Sequence, residues 1–210
     1  MKIIPGLGLS IILLITACTK DVVGPDACFK EKVLPIFISN CTMSGCHNST
    51  SKVAGFDLSN YEGIMKGIVA KHPMRSELFS VIKGKNPSMP QNPYPKLSSK
   101  DVNIIKLWIN MGARNTSNCS SCDSVNFKYD ARIKNIMQLW CVGCHNASNS
   151  SAGVDLSSYS GVVSSISNNR LLGSIQHLPG YVPMPQNSGQ IQKCEIDAIQ
   201  NWINSGFPNN

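Results

Sequence analysis

The chain has 210 residues, a net charge of +7, only 7% aromatic residues and nine cysteines. That length accommodates one or two domains, neither with a large core. So many thiols are out of place in a reducing cytosol. The positive charge comes with no nucleic-acid recognition motif, so no nucleic-acid partner is expected.

Met1 and Lys2 give a short positive start, residues 3–15 are nearly all apolar, and Thr16 and Ala17 are small residues just before Cys18. This is the pattern of a lipoprotein signal peptide spanning 1–17, with cleavage leaving a lipid on Cys18. An ordinary secretory signal with a fortuitous cysteine is the alternative, and it also exports the chain. The apolar run is short for a spanning helix, and no other segment is suited to one. Residues 18–27 read as a flexible tether. The mature chain is therefore expected in the cell envelope, lipid-anchored on the periplasmic side of the inner or outer membrane or at the cell surface. Its oligomeric state is left open.

Residues 29–39 place Val33, Ile36 and Phe37 on one helical face. The segment Cys41-Thr42-Met43-Ser44-Gly45-Cys46-His47 follows. About a hundred residues later the same order recurs, with Ile133, Ile136, Met137 and Trp140 leading into Cys141-Val142-Gly143-Cys144-His145. Further landmarks coincide. Asp57-Leu58-Ser59 matches Asp155-Leu156-Ser157, Met89-Pro90-Gln91-Asn92 matches Met184-Pro185-Gln186-Asn187, and Trp108-Ile109-Asn110 matches Trp202-Ile203-Asn204. Agreement in order and spacing predicts two copies of one structural unit, spanning 28–117 and 118–210 and joined through the polar stretch 115–118.

Within each copy the pattern predicts short helices and long loops, hence an all-α fold. Ser98 to Asp101 forms a capping box opening a helix with Ile104, Ile105, Leu107, Trp108 and Met111 on its apolar side and Gly112 at its end. Its counterpart is predicted from about Gln192 to Ser205, ending at Gly206. Prolines exclude helix around Met89, and a stiff loop of that kind holds a methionine in place.

In a C-x-x-C-H segment two thiols add across the vinyl groups of one haem, and the adjoining imidazole ligates its iron. Cys141, Cys144 and His145 fit that pattern. Cys41, Cys46 and His47 fit it with two extra residues, which must bulge, and Gly45 relaxes the backbone there. The competing readings are a Cys41–Cys46 disulfide in the first copy and, for an isolated C-x-x-C, a disulfide, zinc half-site or redox motif. Met89 and Met184 are the candidate second ligands, because they recur at one point of both copies. His72 and His177 compete with them but do not align between copies.

Four cysteines remain: Cys28, Cys119, Cys122 and Cys194. Two disulfides are expected, with Cys28–Cys119 and Cys122–Cys194 tying each copy's start to its end. The rival is a local Cys119–Cys122 bridge with Cys28–Cys194 clamping the copies together. Asp123, not histidine, follows Cys122, so this is no third haem site.

The order of parts resembles the class I cytochrome c family: helix, haem-binding cysteines and histidine, loop and helix, methionine loop, C-terminal helix. The resemblance covers roughly 28–112 and 122–206. It implies two tandem domains with two covalently bound haem c groups, coordinated by His47, Met89, His145 and Met184. Single-electron transfer between redox partners in the cell envelope is then the expected function, without substrate chemistry. The alternatives are a dihaem peroxidase-like enzyme, which needs an open iron site, or a haem-bearing subunit of a larger oxidoreductase. Tyr61, Tyr159, Trp108 and Trp202 are expected to pack around haem and between helices. The excess positive charge lies in the first copy, at Lys66, Lys71, Arg75, Lys83, Lys85, Lys96 and Lys100. It suits docking of an acidic redox partner there.

Overall fold

A computed structural model describes residues 27–117, 119, 123 and 125–210. The signal peptide, Cys18, the tether up to residue 26 and Cys122 lie outside the described residues. The described chain is mostly helical. In order it forms α1 (Leu34–Cys41), α2 (Tyr61–Met65), α3 (Glu77–Ile82), α4 (Ser99–Asn110), α5 (Lys134–Trp140), α6 (Tyr159–Ile166), α7 (Arg170–Ile175) and α8 (Lys193–Asn204). Two short antiparallel strands, β1 (His145–Asn146) and β2 (Asn149–Ser150), pair between α5 and α6. Among the described residues no helix is long and apolar enough to cross a membrane.

The two copies repeat in structure as well as in sequence. A single π-helical turn opens each, Phe29–Val33 before α1 and Tyr129–Ile133 before α5. The helix expected over 29–39 therefore begins as a wider turn. Both Phe29 and Val33 stay buried through it. Pro35 is the second residue of α1, directly after the π turn. The π turn of each copy packs against that copy's last helix, α4 or α8.

Each copy has its own apolar core. The first gathers Val33, Phe37, Ile64, Phe79, Ile105 and Trp108; the second gathers Ile133, Met137, Val162, Leu171, Ile199 and Trp202. At the base of each lies a ring cluster. Phe29 meets Tyr61 and Trp108 at 5.1 and 5.3 Å between centroids, and Tyr129 meets Tyr159 and Trp202 at 5.0 and 5.5 Å. The indole of Trp108 donates to Arg114 O and that of Trp202 to Pro208 O, both at 2.9 Å. Tyr61 and Tyr159 donate to Ala113 O and Phe207 O at 2.8 Å. Burying one such indole contributes roughly 4–6 kcal/mol before entropy is counted, and its polar edge is satisfied by chain just past the final helix. That chain reverses through Gly112 (φ 98°) and Gly206 (φ 86°), a left-handed geometry that favours glycine.

The expected N-cap forms, with Ser98 Oγ accepting from Asp101 N at 3.1 Å, while the hydroxyl donates to Asp101 Oδ2 at 2.7 Å in place of the reciprocal backbone bond. Leu107, expected on the apolar side of α4, is instead exposed, because the buried stripe runs through Ile105, Trp108 and Ile109. Cys28 and Cys119 are joined in a disulfide, which excludes the rival pairing. Cys194 is also disulfide-bonded, its partner lying outside the described residues. The copies meet where α1 packs on α5. Ser39 Oγ donates to Leu139 O at 2.8 Å across that seam, and Ile38 of the first copy is buried in the second core.

Candidate cofactor site

In the second copy α5 runs directly into the cysteine motif. Cys141 N donates to Met137 O at 2.8 Å, Cys144 N to Cys141 O at 3.1 Å and His145 N to Cys141 O at 2.9 Å. These bonds wind the motif into a compact turn that presents both sulfurs and the imidazole together. The β1–β2 hairpin then returns the chain so that His145 Nδ1 donates to Ser151 O at 3.1 Å. A carbonyl oxygen only accepts, so the ring proton sits on Nδ1 and the lone pair on Nε2 is left for a metal. Met184 is held by its amide, which donates to Ser174 O at 3.0 Å. Cys141, Cys144, His145 and Met184 all line one cavity of ≈ 1070 Å³, with Leu156 and Leu171 among its apolar walls.

The first copy delivers its histidine in the same way despite its longer loop. His47 N donates to Cys41 O at 3.0 Å, the counterpart of the His145 bond, while Cys46 N turns back to Met43 O at 3.0 Å. Gly45 has φ 76°. The two additional residues are therefore looped out between the cysteines, and the backbone closes on the same bond. His47 Nδ1 donates to Val53 O at 2.9 Å, again leaving Nε2 its lone pair. Met89 N donates to Val81 O at 3.0 Å, Lys96 Nζ donates to the neighbouring Pro90 O, and both Cys41 and Met89 pack on the first core.

All four cysteines of these segments are free thiols, so the Cys41–Cys46 disulfide is not formed. Burial pushes the Cys41 thiol up to about 12, with Cys46 adding to it. Cys141 is likewise pushed up to about 12 by burial, then by Glu195 and Cys144. Cys144 is raised by burial and by Cys46. A redox-active C-x-x-C needs a lowered thiol pKa, and these environments do not supply one. Among the described residues one cluster has metal-like spacing, Cys28, Glu31 and Cys119. Its sulfurs are tied up in the disulfide, and Glu31 Oε1 accepts from Cys119 N at 2.9 Å.

Several contributors went unnoticed in the sequence. Asn48 Nδ2 donates to Met43 O at 2.9 Å and Asn146 Nδ2 to Val142 O at 2.7 Å, clamping each loop from the residue after the histidine. The His-Asn pair recurs in both copies, and that was the available signal. His177, a competitor for iron, donates from Nε2 to Met184 O at 3.1 Å and so buttresses the methionine loop. His72 lies exposed. The expected ring of aromatics is packed between helices, as described above. Comparisons with known protein families, with curated proteins and with solved structures found no match.

Proposed function

We propose that the chain is a lipid-anchored dihaem c-type cytochrome of the cell envelope, passing single electrons between redox partners. Residues 28–117 and 118–210 would be its two class I cytochrome c-like domains. The observation that carries this reading is the convergence of Cys141, Cys144, His145 and Met184 on one large apolar cavity, with the imidazole oriented to leave Nε2 for a metal.

The donor set fits a covalently held haem. Two free thiols sit within one motif beside an imidazole, with a soft thioether on the same cavity, and the first copy has the same residue types in the same order at Cys41, Cys46, His47 and Met89. Bound at these positions, haem supplies a one-electron iron couple. Cysteines anchor it, His145 and His47 donate from Nε2, and the Nδ1 bonds to Ser151 O and Val53 O fix ring orientation and strengthen the imidazole as a donor. Met184 and Met89 supply thioether sulfur, which favours the reduced metal, and apolar walls such as Leu156 and Leu171 exclude water, which acts in the same direction. Were His145 with Met184 and His47 with Met89 to hold the metal, no position would be left for peroxide, and the sites would suit electron exchange better than peroxide turnover.

The decisive experiment is haem quantitation as the pyridine haemochrome, on protein made in a host that matures c-type cytochromes. Two haems per chain, both thioether-linked, are expected; colourless protein defeats the proposal. Lipid on Cys18 accounts for the exported leader, and Cys18→Ser should release the protein from membranes. The exposed cations Lys66, Lys71, Arg75, Lys85, Lys96 and Lys100 suit an acidic partner. Reduction rates with that partner should then fall as salt rises, and salt-independent rates would remove this docking role.

A further inference from the structure

The wall of the second cavity is not built by the second copy alone. Ile38, Ser39, Thr42, Met43, Ser44 and Tyr94 line it alongside Cys141 and Met184. Met43 and Ser44 belong to the widened loop between Cys41 and Cys46, and Tyr94 follows the Met89 loop. The anchoring segment of one site is thus part of the enclosure of the other. Met43 is itself nearly buried there.

Gly143 shows how closely the two segments approach. A Cβ at that position would lie 2.0 Å from Ser39 O and 2.6 Å from Ser39 C. Those are backbone atoms of the opposing helix α1 and cannot swing aside. Position 143 carries no thiol and no ligand, so attachment chemistry does not call for glycine; contact with the other copy does. The Ser39–Leu139 hydrogen bond closes the seam one turn away.

We infer that the α1–α5 seam is a positioning device that holds the two cysteine motifs edge to edge, with Met43 and Ser44 of the first loop serving as wall for the second site. This rests on the dihaem reading. It also gives the widened C-x4-C loop a purpose: the residues between its cysteines cover a neighbour's cavity. Two attachment edges held this way bring the groups anchored there within range of direct electronic coupling.

Circular dichroism in the Soret region of the purified dihaem protein tests the seam. Two chromophores held close give a bisignate couplet, whose size falls steeply as they separate. The native protein should show the couplet. Gly143→Ala should keep two haems per chain and lose the couplet, because the added methyl must push the seam open. Two haems per chain without a couplet in the native protein would overturn the inference while leaving the dihaem reading intact. So would a Gly143→Ala protein with both haems and an unchanged couplet. Colourless protein would overturn both.

A second variant keeps the test open should Gly143→Ala not fold. In the Cys41→Ser/Cys46→Ser background only the second copy can carry haem. There Met43→Ala should lower the remaining midpoint potential by admitting water to the second cavity. A potential unchanged by Met43→Ala would refute the wall assignment.

Discussion

Removing the Cys28–Cys119 bridge tests how the first copy is held together. The two cysteines are separated by 91 residues in sequence, so the crosslink closes most of that copy into one loop. Loop-closure entropy for a ring of this size amounts to about 4–5 kcal/mol at 25 °C. Small domains have only ~5–15 kcal/mol in total, so Cys28→Ala/Cys119→Ala should take away a large share. The folded ends remain joined without the bond. Lys30 N donates to Thr116 O at 3.0 Å, Phe29 N to Thr116 Oγ1 at 2.9 Å and Cys119 N to Glu31 Oε1 at 2.9 Å. The double variant should therefore adopt the same fold, the loss arising in the unfolded chain. With a urea slope of ~2 kcal/mol/M the midpoint should fall by about 2 M, followed by far-UV circular dichroism on protein of equal haem content. The transition of the second copy, in which Cys194 is also disulfide-bonded, should move much less. A drop below about 0.3 M, equivalent to ~0.6 kcal/mol, or an equal shift of both copies, would refute the reasoning.

Gly161→Ala should destabilise the second copy by about 1–3 kcal/mol, because its Cβ would lie 2.0 Å from Asp155 O; thermal melting reads the loss, and an unchanged Tm would contradict the tight approach. Glu195 is buried on α8, and burial raises its carboxyl pKa while Arg132 and Lys32 pull it down; Cys141 also faces it. The folded state therefore retains a proton that the unfolded chain has released, so stability falls as pH rises from the ordinary carboxylate pKa through the folded one. Glu195→Gln should raise Tm at neutral pH, with the gain shrinking toward acid pH, and a gain independent of pH would dismiss the ionisation argument. Met184→Ala should abolish thioether-to-iron absorption from one haem of two and lower that haem's midpoint potential; an unaltered spectrum would remove Met184 as a ligand.

How much of this was legible in the sequence follows from the range of the interactions. The α4 helix was readable because its start signal, Ser98 to Asp101, and its stop, Gly112, lie within a few residues of the elements they control. Helix α8 lacks a side-chain cap and was found through its likeness to α4. The π turns were not readable, since Val33, Ile36 and Phe37 satisfy a helical period whether or not the chain widens before them. Leu107 is hard to place from sequence for a related reason: α4 has more apolar residues than its buried stripe accommodates. The site's donors were legible as a local motif, whereas the carbonyl partners Val53 and Ser151 carry no side-chain signature. Least visible was the seam, because a glycine inside a C-x-x-C-H motif looks incidental until Ser39, more than a hundred positions earlier, is brought against it.

The size of the second cavity connects composition to chemistry. A cavity of ≈ 1070 Å³ is at the upper end of the range for small-molecule and cofactor sites. Water is a poor filler against Leu156, Leu171, Ile175 and Ile191, because it needs two to four polar partners to be held. On the proposed reading, a broad apolar group tethered by two thiols would fill that volume. With 7% aromatic residues in the chain, the rings that complete the cores of other domains of this size are concentrated here in the clusters around Trp108 and Trp202. On the proposed reading, the side of each fold that faces the cysteine motif would be left for a ring system the chain does not encode, and in the second copy part of that enclosure is lined by residues of the first.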